Sequence, residues 1–412
     1  MARALQTGWR GPMNILVFNP GSASLKFEIV AANSANKQMS RNHVLAGVVE
    51  PIGGKAKLYS GRNHVFQQDL PVRDYGDAAR NILDWIAAEG NLTFEAVGHR
   101  VVHGGDRYSG PVAIDDEVIH AIEQIEDLAP LHNRAALSVI RATREKLGDR
   151  IPAVAVFDNA FHRTIPDCAC YYAIPWDLTV RYGIRRFGFH GISHQYLLLR
   201  YAELTGAPLD EVNIITLHLE GGSSAAAIRG GKSIDTSMGF TPLEGLMMGT
   251  RSGDLDPALV SFLARKENTD AGTIEDWLNK RSGLLGVSGC SQDTRILVQQ
   301  PAEDTRSALA LDMFAYRVRK YIGAYLAAMG GAEAIVFGGG IGENTPEVRR
   351  RICEGLDRLG IAFDAGRNAA TVDREGPISR DDSTIRVMVI PTEEGLMIAR
   401  EVSQYLKPAG RL

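Results

Sequence analysis

The stretch "NILVFNPGSASLKFEIV", residues 14 to 30, predicts a β-hairpin with a glycine turn. An apolar run that fits a buried strand ends at Pro20-Gly21, a pair that is typical of a tight turn. Beyond the turn apolar and polar residues alternate, so Leu25, Phe27 and Ile29 share one face of a second strand. A Walker loop would instead lead from the strand into a helix.

A second segment, "NIITLHLEGGSSAAAI" at 213 to 228, has the same strand, glycine turn and strand pattern. When Gly21 is paired with Gly222, Glu220 is paired with Asn19. A repeat of this kind predicts two similar domains that face one cleft. It also predicts that Glu220 occupies a metal-side position instead of contacting phosphate.

The rest of the chain alternates between helical and strand-like hydrophobic spacing, which predicts an α/β fold. The helical segments are 76–89, 116–127, 134–147, 194–205, 305–329 and 345–359. The strand-like segments are 96–102, 151–157, 212–219, 334–338 and 386–391.

Composition excludes several classes of protein. The chain has 412 residues, 45% of them hydrophobic and 23% charged, with a net charge of −4 and no basic block. This profile favours two or more globular domains and disfavours nucleic acid or an anionic membrane as the main partner. No segment has the length of apolar sequence that a membrane-spanning helix needs. Residues 1–12 lack a signal-peptide core and are interpreted as a disordered extension. The four cysteines have no zinc-type spacing, so we expect free thiols in the cytoplasm.

Charged residues at strand ends and in glycine-rich loops are the candidates for chemistry, because α/β sites collect there. Arg100 and Arg251 can fork onto a carboxylate or phosphate, although an ion pair or a helix-end contact are the alternatives. Asp158 either belongs to the site or caps the following turn. His190 is suited to donate to an anionic transition state. Zinc binding by His190 and His194 is disfavoured, since no HExxH glutamate is present.

Two later segments are also open to more than one interpretation. The glycine run of "IVFGGGIGEN", 335 to 344, fits a wall against adenosine, and no acidic residue about twenty positions on supports a nicotinamide site. Glu393 and Glu394 either hold Mg²⁺ through water or favour the positive end of the helix that follows. Asp293 and Arg295 lie in a polar loop, where solvent exposure is the simplest interpretation.

Two glycine hairpins, two arginines, a histidine and strand-end carboxylates fit phosphoryl transfer, which depends on positioning and charge neutralisation. With these motifs the chain resembles the acetate kinase family of the acetate and sugar kinase, heat-shock protein and actin superfamily. The resemblance runs from Asn14 to about Glu401 and is most specific in "DTSMGFTPLEGLMMGTRSGDLDP". Five further motifs occur in order: "GHRVVHGG", "VFDNAFH", "GIRRFGFHG", "GGIGEN" and "VIPTEE".

The resemblance implies an α/β fold of two duplicated ribonuclease-H-like (actin-like ATPase) domains around a central cleft. Residues 13–158 plus 395–412 would form the N-terminal acyl kinase domain, including a returning C-terminal helix. Residues 159–394 would form the nucleotide-binding domain. It further implies a cytoplasmic homodimer.

The resemblance also assigns roles to individual residues. The catalytic residues would be Asp158, His190 and Arg251. The acid would contact Arg100, Val102, Leu131, Phe189 and Pro242. The nucleotide, ATP or ADP, would be held by Lys26, His218, Leu219, Glu220, Gly221, Gly222, Asp293, Thr294, Arg295, Gly340, Ile341, Gly342, Glu343 and Asn344. Asn19 and Glu394 would lie on the side of Mg²⁺ or Mn²⁺.

The implied reaction is reversible Mg²⁺-dependent transfer of a phosphoryl group between ATP and acetate, giving acetyl phosphate and ADP. A propionate or butyrate kinase and an acetate kinase that uses pyrophosphate are the alternatives. A further alternative is a nucleotide-binding switch that does not catalyse the transfer. Neither nucleic acid nor a membrane is expected as a partner.

The chain departs from the family pattern in a few places. Glu220-Gly221 stands where Gly-Asn is usual, and Gly395 replaces a second glutamate. The other departures are Ala23 for serine, Arg134 for proline and Asn159 for threonine. Our hypothesis is that Glu220 helps to hold Mg²⁺ through water and partly restores the lost charge. Glu220 could instead repel a triphosphate and favour pyrophosphate, or turn to solvent.

Overall fold

The computed structural model describes residues 13–21, 23–32, 43–60, 66–126 and 129–407, except the side chains of 130 and 131. The predicted extension at 1–12 lies outside this range. The chain divides into two compact units. Unit 1 comprises the residues up to Ala160 and those from Glu393 onward, and unit 2 is Phe161–Thr392.

Unit 1 is built on a mixed sheet, which in the described residues has eight strands in the order β5-β4-β3-β2-β1-β6-β8-β7. The strands are β1 Met13–Pro20, β2 Leu25–Ala32, β3 His43–Glu50, β4 Gly54–Ser60, β5 Phe66–Val72, β6 Ala96–Val101, β7 Val112–Ala113 and β8 Ala153–Phe157. The predicted hairpin is confirmed, since β1 and β2 pair antiparallel with Pro20 opposite Leu25. Strands β1, β6 and β8 run parallel, so their carboxyl ends lie at one edge of the sheet.

Four helices accompany this sheet in the described part of unit 1. They are α1 Tyr75–Glu89, α2 Asp116–Gln124, α3 Pro130–Leu147 and α15 Glu394–Leu406. The core contains the apolar face predicted for β2, with Leu25, Phe27 and Ile29 at most 1% exposed. The last helix, α15, packs against β1, β2 and β6.

Unit 2 contains a second sheet, with six strands in the order β11-β10-β9-β12-β14-β13 among the described residues. The strands are β9 Ile214–Leu219, β10 Ser223–Arg229, β11 Lys232–Thr236, β12 Ala334–Gly338, β13 Gly376–Pro377 and β14 Arg386–Val389. Strands β9, β12 and β14 are parallel, and β9 and β10 form the second predicted hairpin. The two α/β sheets confirm the predicted fold class.

The helices of unit 2 follow the chain from α4 to α14. They are α4 Asp167–Cys170, α5 Trp176–Tyr182, α6 Gly191–Thr205, α7 Ala258–Lys266, α8 Ala271–Lys280, α9 Gly283–Ser288, α10 Thr294–Val298, α11 Thr305–Met329, α12 Gly339–Asn344, α13 Pro346–Cys353 and α14 Ala365–Ala370. The 25-residue α11 coincides with the predicted segment and buries Phe314, Val318 and Ile322. None of the helices in the described part of the chain is long and apolar enough to cross a membrane.

The two hairpins differ in their turns, and this corrects the predicted pairing of Glu220 with Asn19. Asn19 is the penultimate residue of β1, whereas Glu220 lies outside β9, in the turn. The residue that matches Asn19 by its position in the strand is His218, the penultimate residue of β9. The second turn spans 220–222 and the first spans 21–24, so aligning the glycines shifts the first strands relative to each other.

Candidate active site

The carboxyl edge of the unit 1 sheet brings four of the predicted residues together. Asn19 and Arg100 are the penultimate residues of β1 and β6, and Asp158 follows β8 directly. Glu394 is the first residue of α15. Because the three strands are parallel neighbours, their ends project these side chains toward one another.

Arg100 is the centre of this group, which we call the arginine cluster: Asn19, Arg100, Asp158 and Glu394. The guanidinium donates from Nε to Asp158 Oδ1 at 3.1 Å and from Nη2 to Oδ2 at 2.5 Å. Nη1 donates to Asn19 Oδ1 at 2.8 Å and lies 3.7 Å from Glu394 Oε2. Asn19 Nδ2 donates to the same Glu394 oxygen at 2.7 Å. The Asp158 side chain is 1% exposed, so Arg100 is held in one orientation by a buried ion pair.

Two asparagines fix the loop that follows β6 and contains the predicted Val102. Asn133 accepts from His103 N and donates to His103 O, both at 3.1 Å. Asn159 accepts from Gly104 N at 3.0 Å and donates to Gly105 O at 3.1 Å. The residue that departs from the family pattern at 159 therefore has a structural function. Val102 is buried in this loop, and the side chain of Leu131 is outside the described residues.

A histidine that sequence analysis missed lies beside the start of α15. His43 Nδ1 is 3.1 Å from Glu28 Oε2, and His43 Nε2 is 3.2 Å from Glu393 Oε2. The interactions with Glu28 and then Glu393 raise the pKa of His43 to about 10. The added side chain of any residue at Gly395 would overlap the carboxylate of Glu28. His43 thus links β2 to the residue that precedes Glu394.

In unit 2 the turn between β9 and β10 is held by short-range contacts. Ser223 Oγ donates to Glu220 O at 2.9 Å, and Gly249 N donates to Gly221 O at 3.0 Å. Gly339, at the start of α12, has φ +76°, and its Cβ would lie 2.6 Å from Leu219 O. Only glycine allows α12 to approach the end of β9 so closely. The two predicted glycine segments are therefore neighbours.

His190 is oriented by a chain of buried hydrogen bonds. It precedes α6 with φ 55°, and its Nδ1 lies 2.9 Å from Ser224 Oγ. The same hydroxyl lies 2.8 Å from His194 Nε2, and His194 Nδ1 lies 2.7 Å from Thr216 Oγ1. If each hydroxyl donates toward His190, then His190 Nδ1 accepts and Nε2 carries the outward proton. His194, Ser224 and Thr216 were not predicted as a network.

Arg251 and His190 border the same space above Gly222. A Cβ on Gly222 would lie 3.5 Å from His190 Nε2 and 3.8 Å from Arg251 Nη1. Arg251 Nη1 also donates to Pro242 O at 3.2 Å, and burial lowers the pKa of the guanidinium. This excludes the surface arginine that the sequence left as an alternative. Both nitrogens therefore lie near one point beside Gly222.

The loop that carries Arg251 is fixed from α9. Leu284 N donates to Met248 O and Leu285 N to Gly249 O, both at 2.9 Å. Ser282 N donates to Thr250 O, also at 2.9 Å. Gly283 has φ +61° and a Cβ there would lie 2.8 Å from Arg251 O. The glycines of this region allow backbone to pack on backbone, which the sequence predicted only in general terms.

The remaining predicted nucleotide residues occupy different environments. Asp293 and Arg295 pair with each other, with 2.6 Å between Oδ2 and Nη2, on an exposed surface of unit 2. Glu343 is buried and accepts from Thr392 N and Oγ1 at 2.9 and 3.0 Å, and burial raises the pKa of its carboxyl. The glycine run predicted as a wall against adenosine forms the short helix α12. The positions of the others are as follows: Thr294 is buried, Ile341 is partly buried, Asn344 ends α12, and Lys26 is exposed on β2 opposite Asn19. Phe189, which was predicted to contact the acid, is buried.

Arg349 is a further residue that sequence analysis missed. It is fully buried and donates to carbonyls at the end of α12, Gly342 O at 2.7 Å and Glu343 O at 2.9 Å. It also donates to Asn368 Oδ1, Asn368 O and Thr371 O at 2.8, 2.9 and 2.6 Å. The guanidinium therefore clamps α12 onto α14. The sequence "PEVRRRI" contains three adjacent arginines and does not indicate which of them is buried. The other two lie closer to the surface.

Solved structures similar to this one define its class. The acetate kinase of Porphyromonas gingivalis is 40% identical with a TM-score of 0.87, covering 96% of this chain and 100% of the other. A propionate kinase from Francisella tularensis is 38% identical with a TM-score of 0.87, covering 94% and 98%. Fold and site define a phosphotransferase of the actin-like ATPase fold, with a carboxyl group as acceptor.

Sequence comparison identifies the family. The pattern of the acetokinase family matches residues 14–400. The acetate kinase of Solibacter usitatus is 48% identical over 402 residues, which are 94% of this chain and 97% of that protein. The chain belongs to the acetokinase family, as its motifs predicted.

Proposed function

We propose that this protein catalyses reversible phosphoryl transfer between ATP and acetate, giving acetyl phosphate and ADP. The observation that carries the proposal is the convergence of His190 Nε2 and Arg251 Nη1 above Gly222. A transferring phosphoryl group spreads negative charge over its equatorial oxygens, and fixed donors in a dry site stabilise that charge.

The reaction proceeds by direct attack. A carboxylate oxygen of acetate forms a bond to the γ-phosphorus while the bond from that phosphorus to the β,γ-bridging oxygen breaks, and ADP leaves with the electron pair. Acetate is already ionised at neutral pH, so no strong general base is required. The reverse reaction transfers the group from acetyl phosphate to ADP.

The arginine cluster is assigned to the acid and the metal. Arg100 binds the carboxylate, and Asp158 holds the guanidinium in place through their buried ion pair. Val102, Leu131, Phe189 and Pro242 are assigned to the methyl group, and we assign the acyl site to the domain 13–158 plus 395–412. Residues 159–394 are assigned to the nucleotide.

The residues present fit a magnesium ion. Asn19 and Glu394 offer amide and carboxylate oxygens within one hydrogen-bonded group, and Mg²⁺ prefers one or two such ligands together with water and substrate phosphates. Bound Mg²⁺ would neutralise phosphate charge in the transition state. Asn19 and Glu394 would orient it through water, and Mn²⁺ would bind the same oxygens.

The test is to trap the acyl phosphate with hydroxylamine, using acetate, Mg²⁺ and either ATP or pyrophosphate. We expect product with ATP. Arg251→Gln is expected to lower kcat about 10²- to 10³-fold, as the loss of one charge-stabilising donor does. Arg229→Gln, at the exposed end of β10, is the matched control and retains activity. Product with pyrophosphate alone would reject ATP as the donor, and no product with either would reject the proposed reaction.

Propionate kinase is the second candidate, supported by the likeness to the Francisella tularensis enzyme. Acetate and propionate differ by one methylene, which is worth about 1–3 kcal/mol in a fitted pocket. The ratio of kcat/KM for the two acids decides between them, and a ratio in favour of propionate would replace acetate as the assigned substrate.

We further propose a homodimer in the cytoplasm. Helix α5 exposes Trp176, Val180 and Tyr182 by 61, 66 and 63%, an apolar face of the kind that protein contacts cover. None of the four cysteines, all of which lie in the described part of the chain, forms a disulfide, which agrees with a reducing compartment. Light scattering after size exclusion tests the dimer, and a monomer mass would reject it.

A further inference from the structure

Glu220 makes a contact that none of the sequence-based interpretations included. Its Oε2 lies 3.6 Å from His218 Nε2, at ion-pair distance. The His218 side chain is 4% exposed and that of Glu220 is 49% exposed. Glu220 Cγ would lie 3.9 Å from a Cβ on Gly340, so the side chain extends from the turn toward α12. The carboxylate therefore lies beside both segments to which the donor nucleotide is assigned.

His218 has Glu220 and His190 as neighbours of its ring. Its ring centroid is 4.4 Å from that of His190, at an interplanar angle of 39°. Glu220 Oε2 and His218 Nε2 are at ion-pair distance and not at hydrogen-bond distance, so the contact is attractive when the ring is protonated. Within the described residues Nδ1 has no hydrogen-bond partner. Glu220 thus covers the Nε2 side of the His218 ring.

A second carboxylate near His218 is already engaged. His218 lowers the pKa of the Glu343 carboxyl, although burial, the larger effect, raises it. Glu343 Oε1 accepts both bonds from Thr392, at 2.9 and 3.0 Å. Of the two carboxylates, Glu220 is the one that is half-exposed and lies on a turn.

We propose that Glu220 is a specificity-determining residue for the phosphoryl donor: it caps His218 and selects metal-complexed nucleotide over metal-free nucleotide. This inference rests on the proposed function. A donor phosphate has to replace the carboxylate at His218 Nε2, and a bare phosphate is repelled by the displaced charge. A nucleotide that carries Mg²⁺ brings a compensating positive charge and is repelled less.

The test is a double-mutant cycle on ADP binding, measured by calorimetry in chelator and in Mg²⁺. We expect Glu220→Gln to tighten metal-free ADP about fivefold or more, with a smaller change for the magnesium complex. His218→Gln is expected to change metal-free binding less than about twofold in the wild-type background, because Glu220 already covers the ring. In the Glu220→Gln background it is expected to weaken binding about fivefold or more. Glu275→Gln, an exposed carboxylate of α8, is the matched control.

Each other outcome overturns a distinct statement. If the wild type binds no ADP with Mg²⁺ and forms no acyl phosphate, the proposed function fails. If it binds ADP with Mg²⁺ but Glu220→Gln leaves metal-free binding unchanged, the capping inference fails. Equal effects of His218→Gln in both backgrounds also reject it, since the two residues would then act independently. Weaker binding of the magnesium complex alone would instead assign Glu220 to the metal.

Discussion

Replacement of Gly222 by alanine separates activity from stability in unit 2. The added methyl would lie 3.5 Å from His190 Nε2 and 3.8 Å from Arg251 Nη1, which are ordinary contact distances. The backbone of Gly222 is outside the left-handed region, so alanine fits without strain. Such substitutions stabilise a protein by about 0.4–1 kcal/mol, because the unfolded chain loses freedom. We therefore expect the melting temperature to stay constant or rise.

The same methyl occupies the space assigned to a phosphoryl oxygen. An oxygen that accepts from both nitrogens has to lie about 2.7–3.1 Å from each of them. Displacing it by about 1 Å costs about 10²-fold, and losing one donor costs about 10²- to 10³-fold in kcat. We expect a fall in kcat of that size, about 2.7–4 kcal/mol of transition-state stabilisation, in the hydroxylamine assay.

A matched glycine substitution completes the experiment. Gly323 lies within α11 with open space around its Cβ, so Gly323→Ala is expected to stabilise the fold and leave kcat unchanged. If Gly222→Ala keeps kcat within about threefold of the wild type, the phosphoryl group does not pass between His190 and Arg251. Loss of folding instead of activity would refute the packing argument.

Three further predictions concern charged side chains. Arg349→Lys leaves three donors in place of five, so at least two charge-assisted hydrogen bonds are lost. The free energy of unfolding, measured in urea, is therefore expected to fall by about 3–6 kcal/mol. Arg350→Lys on the same helix is the control and should change this free energy by under about 1 kcal/mol. Asp158→Asn removes the buried counterion of Arg100, so we expect the free energy of unfolding to fall by about 3 kcal/mol and kcat to fall as well. A free energy of unfolding equal to that of the wild type would contradict the stabilising role of the buried ion pair. The pKa of His43 is raised to about 10, so protonated His43 stabilises the fold fully below pH 6.5. This stabilisation is lost as the pH rises through about 10. His43→Gln is therefore expected to flatten the decline in melting temperature at alkaline pH.

The sequence predicted the elements with the strongest hydrophobic periodicity. The hairpins at β1–β2 and β9–β10, the strand β12 and the helix α11 were all expected. Strands β3 to β5 were not, because they are edge-side antiparallel strands with exposed polar residues on one face and weak apolar alternation. The helices α7 to α10 were missed as well, since each is short, with ten residues or fewer.

The sequence predicted those site residues that lie at the ends of apolar strands. Arg100 and Asp158 were expected from their positions after apolar strands, and the parallel register brings them into contact. The chain from Thr216 through His194 to Ser224 was not expected, because small hydroxyl residues on strands have many ordinary uses. The predicted pairing of Glu220 with Asn19 was wrong for a different reason. Glycines indicate where a turn lies, but they do not indicate how many residues the turn contains.

Glu220 and Gly395 are the two departures from the family pattern that change the charge, and each lies beside a charged or titratable residue of its own unit. The sequence suggested that Glu220 restores a carboxylate lost at Gly395. In unit 1 the space beside Gly395 is taken by the carboxylate of Glu28, which a side chain at 395 would overlap. Glu28 in turn neighbours His43, so that position keeps a carboxylate near the start of α15. In unit 2 Glu220 neighbours His218. A side chain at 395 would therefore have to displace the Glu28 carboxylate, and the carboxylate of Glu220 lies beside a histidine of its own unit.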